Sequence, residues 1–123
     1  MATFSKIILS GSTSGKQISI QSTGPTGNIG TTIHTAGAGT ILDEIWLYAV
    51  NYSATSTPIT LQWGTITATK ETTLQLLPNS TGLLGLTPIV AGLILGNSLV
   101  LSAFSGAASR IAVYGYVNRI TVS

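Results

Sequence analysis

The chain has no cysteine and is poor in charge: five basic and three acidic residues, 7% of 123. The missing thiols exclude disulfides, thiol redox chemistry and cysteine-ligated metal. An ordinary globular domain is roughly one quarter charged, so the polar surface here must be built from something else. It comes from hydroxyls, since the chain contains 19 Thr and 14 Ser. Charge normally keeps surfaces apart in solution. Its scarcity therefore points to a surface covered in part by partner subunits.

Groups able to titrate or attack are equally few. Catalysis needs such groups gathered in one place, and the chain offers one histidine and three acids. A lone histidine such as His34 reads as a structural hydrogen-bonding residue. Asp43 and Glu44 are adjacent in an extended segment, so their side chains point to opposite faces and cannot act as an acid/base pair. Glu71 is the remaining acid, and no serine is marked as a nucleophile. These residues predict a protein that is not an enzyme, with no catalytic residues, no cofactor and no metal site.

Two motifs fall short of their mechanisms. Gly11 to Lys16 (GSTSGK) has three residues between its glycines and Gln17 after the lysine, whereas a phosphate-binding loop has four and then Ser or Thr. The same run is not a nucleophile elbow, because Thr13 occupies the nucleophile position. Asn51-Tyr52-Ser53 and Asn79-Ser80-Thr81 match the glycosylation triplet, which arises by chance in a chain this rich in Ser and Thr.

The net charge is +2. Lys6, Lys16, Lys70, Arg110 and Arg119 are dispersed and form no phosphate-tracking stripe, so no nucleic-acid partner is expected. Met1 to Ser10 shows no leader pattern. Leu83 to Leu101 is apolar but is broken by Gly85, Pro88, Gly92, Gly96 and Asn97. It reads as two buried strands around a turn, with no membrane partner.

What is present is a succession of short apolar runs punctuated by Gly, Pro, Asn and Ser, without helical periodicity. The runs predict strands over Phe4 to Leu9, Lys16 to Gln21, Thr31 to Thr35, Leu42 to Tyr52, Pro58 to Gly64 and Thr72 to Leu77. One or two more lie in Leu83 to Leu95, and the last two over Ser98 to Phe104 and Arg110 to Val122. Alternation places Ile45, Leu47 and Ala49 on one face of the fourth run and Trp46, Tyr48 and Val50 on the other. Both faces are largely apolar, which predicts a central strand packed on each side. The expectation is one all-β domain over residues 1–123, an antiparallel β-sandwich of jelly-roll type with about eight strands.

The aromatics carry the potential for recognition. Trp46, Tyr48, Trp63, Tyr114 and Tyr116 lie on predicted strands at alternating spacing. Such rings fill a core, anchor a subunit interface or stack on sugar rings, and the sequence leaves all three open.

Four stretches carry a resemblance: TTIHTAGAGTILDEIWLYAVNYSA (Thr31 to Ala54), ITLQWG (Ile59 to Gly64), GLILGNSLVLSAF (Gly92 to Phe104) and VYGYVNRI (Val113 to Ile120). Together they resemble small virion proteins of tailed bacteriophages, of the head-decoration or cement type; DEIWLYAVN and GYVNRI are the most distinctive pieces. The resemblance implies a β-sandwich that forms a homo-oligomer, a trimer by preference. It further implies the major capsid protein as partner and a location on the outer surface of the virion head. It supplies no catalytic residues. Thr65 to Lys70 departs from the more acidic turn the family would place after Trp63-Gly64. Gly11 to Gly15 and Ser22 to Gly30 are candidate shell-contacting loops, or ordinary turns. Two further readings remain: a phage tail, fibre or adaptor component, and a carbohydrate-binding sandwich using the aromatic face.

Overall fold

The computed structural model describes residues 2–21, 30–64, 71–76, 87–107 and 110–122. Nine strands occur among them: β1 (Ala2–Ile8), β2 (Ile18–Ile20), β3 (Thr31–Thr35), β4 (Leu42–Asn51), β5 (Thr57–Trp63), β6 (Glu71–Leu76), β7 (Thr87–Gly96), β8 (Val100–Ser105) and β9 (Ile111–Val122). No helix occurs among the described residues, so none could cross a membrane. All pairings are antiparallel and form two sheets. Sheet A runs β1-β9-β4-β7, with β2 also on β9; sheet B runs β3-β8-β5-β6.

β1 and β2 lie end to end along the same edge of β9. β1 pairs from Ala2↔Val122 to Ile8↔Tyr116, and β2 pairs from Ile18↔Val113 to Ile20↔Ile111. Between them the chain leaves sheet A and crosses to the edge of β3. There the Gly11 amide donates to the Ile33 carbonyl at 2.8 Å, and the Thr35 amide donates to Ser10 Oγ at 2.7 Å. Gly11 is required for this approach, because a Cβ there would lie 2.4 Å from the Thr32 carbonyl oxygen.

Alternation writes the core. Ile45, Leu47 and Ala49 of β4, Val113 and Val117 of β9, Ile33 of β3, Ile59 of β5, and Leu101 and Ala103 of β8 are all fully buried in one cluster shared by the two sheets. The arrangement is sandwich-like, with two layers over one core. Removing side chains of this size from water contributes about 1.5–3 kcal/mol each.

The structure departs from the sequence reading, or adds to it, in three places. Within Leu83 to Leu101 the two strands around a turn are present, β7 and the start of β8 on either side of Asn97 and Ser98, but β7 is an edge strand whose Leu93 and Ile94 are exposed rather than buried; the stretch before Thr87 lies outside the described residues. The polar face of β5 is buried as well as its apolar face: Gln62 has no solvent exposure, and its Oε1 accepts from the Gly30 amide at 2.8 Å and from Ser102 Oγ at 2.7 Å. Finally, β4 is central in sheet A as its two apolar faces predict, but its outer residues Glu44, Trp46 and Tyr48 are only half-buried. Among the described residues no element packs over them.

Candidate functional site

The outer face of sheet A gathers four of the five aromatic candidates. The register of β4 against β9 sets Trp46 opposite Tyr116 and Tyr48 opposite Tyr114. The Trp46 and Tyr116 rings are nearly parallel, 11° between planes with centroids 6.2 Å apart. The Lys6 ammonium sits 4.7 Å from the Tyr116 ring centre, within cation–π range. All four rings are half-buried and lie outside the core cluster. Trp63 is elsewhere, at the end of β5 in sheet B, where it packs against the core.

Glu44 fixes this face. Its Oε1 accepts from Trp46 Nε1 at 2.7 Å and from Asn118 Nδ2 at 3.0 Å. The hydrogen bonds from Asn118 and Trp46 favour the carboxylate and hold Glu44 below its ordinary pKa, against a smaller effect of desolvation. Beside it an open depression of about 340 Å³ is lined by Phe4, Ser5, Lys6, Glu44, Asn118 and Ile120. Phe4, Ile8, Leu42 and Ile94 complete the face as exposed apolar residues, Phe4 being 71% exposed. The register puts them there: Phe4 and Leu42 flank Ile120, Ile8 lies against Tyr116, and Ile94 lies against Glu44. Scattered single apolar residues are normal on a surface, but a contiguous group of this kind marks a contact site.

A second cluster lies on the inner side. Asp43 is fully buried and accepts from His34 Nε2 at 2.7 Å, from the Gly37 amide at 3.1 Å, and from Arg119 Nε and Nη2 at 2.8 Å each. The other ring nitrogen of His34, Nδ1, accepts from the Ser10 amide at 3.0 Å. A backbone amide can only donate, so in this arrangement the ring hydrogen sits on Nε2. A histidine–carboxylate pair becomes a catalytic dyad when its free nitrogen faces a nucleophile. Here that nitrogen is committed to backbone and the ring is 1% exposed. The cluster instead ties the Leu9–Gln17 crossing, sheet B and sheet A to one another. Among the described residues no group of three His, Asp or Glu could hold a metal.

The near-miss loop is explained in the same way. The amides of Gly11, Ser12 and Lys16 donate to the carbonyls of Ile33, Leu9 and Thr13, so they are not available to cradle a phosphate. Asn51 of the first glycosylation triplet is 3% exposed, and its amide donates to the Thr55 carbonyl at 2.8 Å. Asn79, Thr65 to Lys70 and most of Ser22 to Gly30 lie outside the described residues.

The sequence reading placed His34 correctly as a hydrogen-bonding residue but missed its partners. A signal was available: Asp43 shares its alternation with Ile45 and Leu47, and Arg119 shares its alternation with Val113 and Val117. An acid and a base both turned toward a core imply a pair. Compared with known protein families, with curated proteins and with solved structures, the chain matches none.

Proposed function

We propose that this chain is a non-enzymatic structural protein of a tailed-bacteriophage virion, a homo-oligomer that decorates the outer surface of the head and stabilises it by binding between major capsid subunits. The observation that carries the reading is the outer face of sheet A. Aromatic and apolar side chains gather there around Glu44, which holds Trp46 and Asn118, on a chain with eight charged residues in total. Such a face fits the pattern of a subunit contact, in which aromatic anchors contribute most of the binding energy and charge is sparse.

The strand order supports the finer fold reading of an eight-stranded jelly-roll sandwich. β1 and β2 occupy one position beside β9, so the two sheets read as two sets of four positions, with the first strand broken where the chain crosses to β3. A decoration protein gains from such an architecture, because many weak copies on a symmetric shell act together through effective concentration.

The test is sedimentation of the chain with shells assembled from the major capsid protein. Saturable binding that raises the shell's melting temperature is the expected result. Tyr48→Glu, on the outer face, should weaken it about tenfold, the 1.4 kcal/mol scale of one interface anchor. Failure to bind shells, with capture by tail assemblies instead, would move the protein to the tail. The depression beside Glu44, with its carboxylate, the Asn118 amide and the Phe4 ring, favours one other reading, carbohydrate binding. Quenching of tryptophan fluorescence by soluble glycans, together with no shell binding, would establish that alternative.

A further inference from the structure

β1 is hydrogen-bonded to β9 along one side, and among the described residues no strand pairs with its other side. It is exposed on both faces from Ala2 to Lys6. An open edge of this kind is a template for another strand, and proteins blunt such edges with proline, bulges, charge or covering segments. The other long edge of sheet A is blunted. β7 carries Pro88, Gly92 at a φ of +73°, and two register shifts against β4. The β3 edge of sheet B has a register shift and is covered by the crossing at Ser10 and Gly11. β1 has neither device: its register to β9 is unbroken over seven residues, and its one charge is Lys6.

We infer that the free edge of β1 is a strand-addition site for β1 of a second copy of this chain, paired antiparallel about a two-fold axis at Ser5. This pairing rests on the self-associating reading above and departs from its preference for a trimer, since a two-fold axis builds even-numbered assemblies. The register follows from geometry. A two-fold axis perpendicular to the sheet keeps each side chain on its own face, so the numbers of opposing residues must sum to an even value. A sum of ten aligns all seven residues. It places Ser5 against Ser5, Phe4 against the second copy's Lys6, and Ala2 against its Ile8. A sum of twelve shortens the overlap and sets Lys6 against Lys6, two like charges across the strands. The favoured register instead lays the Lys6 stem of the second copy, whose ammonium rests on its own Tyr116 ring, against the exposed Phe4 ring, a contact repeated twice by the symmetry. The two A sheets become one continuous sheet, and their aromatic faces lie side by side.

The chain lacks cysteine, so one engineered thiol reads the register directly. Opposing residues in an antiparallel pair have Cα atoms about 4.5–5.5 Å apart, within the about 4.4–6.8 Å that a disulfide spans. Under mild oxidation of the full chain at micromolar concentration, Ser5→Cys should convert mostly to a covalent dimer, while Thr13→Cys, in an exposed turn, stays monomeric on the same gel. By light scattering, Phe4→Lys should weaken the pair about tenfold by facing two lysines, and Phe4→Lys with Lys6→Glu should restore it. Phe4 is exposed, so these changes spare the core. Ser5→Cys cross-linking no more than Thr13→Cys, or a wild-type mass of three chains, would overturn the inference while leaving the structural reading intact if shells still bind. A strand of the shell as the true occupant would show as an uncross-linked Ser5→Cys together with loss of shell binding in Phe4→Lys.

Discussion

Asp43 is an anion with no exposure to solvent, held by hydrogen bonds from His34, Gly37 and Arg119. Burial by itself would raise its pKa. The hydrogen bonds from Arg119 and His34, with the charge of Arg119, outweigh that and hold it below the ordinary carboxylate range. Arg119 is held more firmly protonated by the same bond. The stability consequence has a definite sign. A carboxyl whose folded pKa lies below its unfolded one, near 4, contributes fully above that value and loses its contribution as pH falls through the folded pKa. Wild type should therefore lose melting temperature as pH falls below about 4. Asp43→Asn should be less stable near neutrality by about 3 kcal/mol, the scale for breaking a buried pair, and should show a flatter acid limb. Parallel acid limbs in the two proteins would refute this role for Asp43.

At the scale of elements, the β4–β9 pair carries both the core and the aromatic face, and its closeness depends on Gly115. A Cβ there would sit 2.1 Å from the Trp46 carbonyl oxygen and 3.1 Å from Leu47 Cδ2. The carbonyl is backbone and cannot yield without moving the two strands apart. Gly115→Ala should therefore cost about 1–3 kcal/mol, seen as a lower urea midpoint with an unchanged m value, and should loosen the Trp46–Tyr116 contact. An unchanged midpoint would mean that the strands are free to separate. β3 shows a different device. The register shift between Thr32 and His34 interrupts the alternation, so that Ile33 and His34, although adjacent, are both buried. That shift aims the histidine inward at Asp43.

For the whole molecule the governing quantity is its scarcity of charge. Of the eight charged residues, Asp43 and Arg119 are paired across the inner side of sheet A, and Glu44 is engaged by Trp46 and Asn118. The proposed association through sheet A then draws on apolar burial rather than on charge. Four strands at about 4.8 Å spacing and a ten-residue β4 at about 3.4 Å per residue span a face on the order of 650 Å², close to the roughly 800 Å² per partner of a standard interface. Assembly mass, measured by light scattering, should hardly change between about 0.1 M and 1 M salt, although the screening length falls from about 10 Å to 3 Å. Dissociation at the higher salt would place ionic contacts at the interface instead.

The sequence by itself determined the all-β class, most strand positions and the two faces of β4 and β9, because alternation is a local property of the pleat and every second residue declares its side. It also determined that Trp46, Tyr48, Tyr114 and Tyr116 fall on one face of their strands. Whether that face is core or surface was decided only in the tertiary structure, by the layer that sheet B supplies to one side of sheet A. The buried Asp43 cluster was half legible, since an acid and a base in inward register imply a pair. The third partner was not, because His34 reaches Asp43 through a register shift that breaks the alternation, and Ser10 reaches His34 only because the chain leaves one sheet for the other. That β1 has one strand neighbour among the described residues was decided by topology alone: an edge is a matter of which strands pair, and pairing joins residues as distant as Ala2 and Val122.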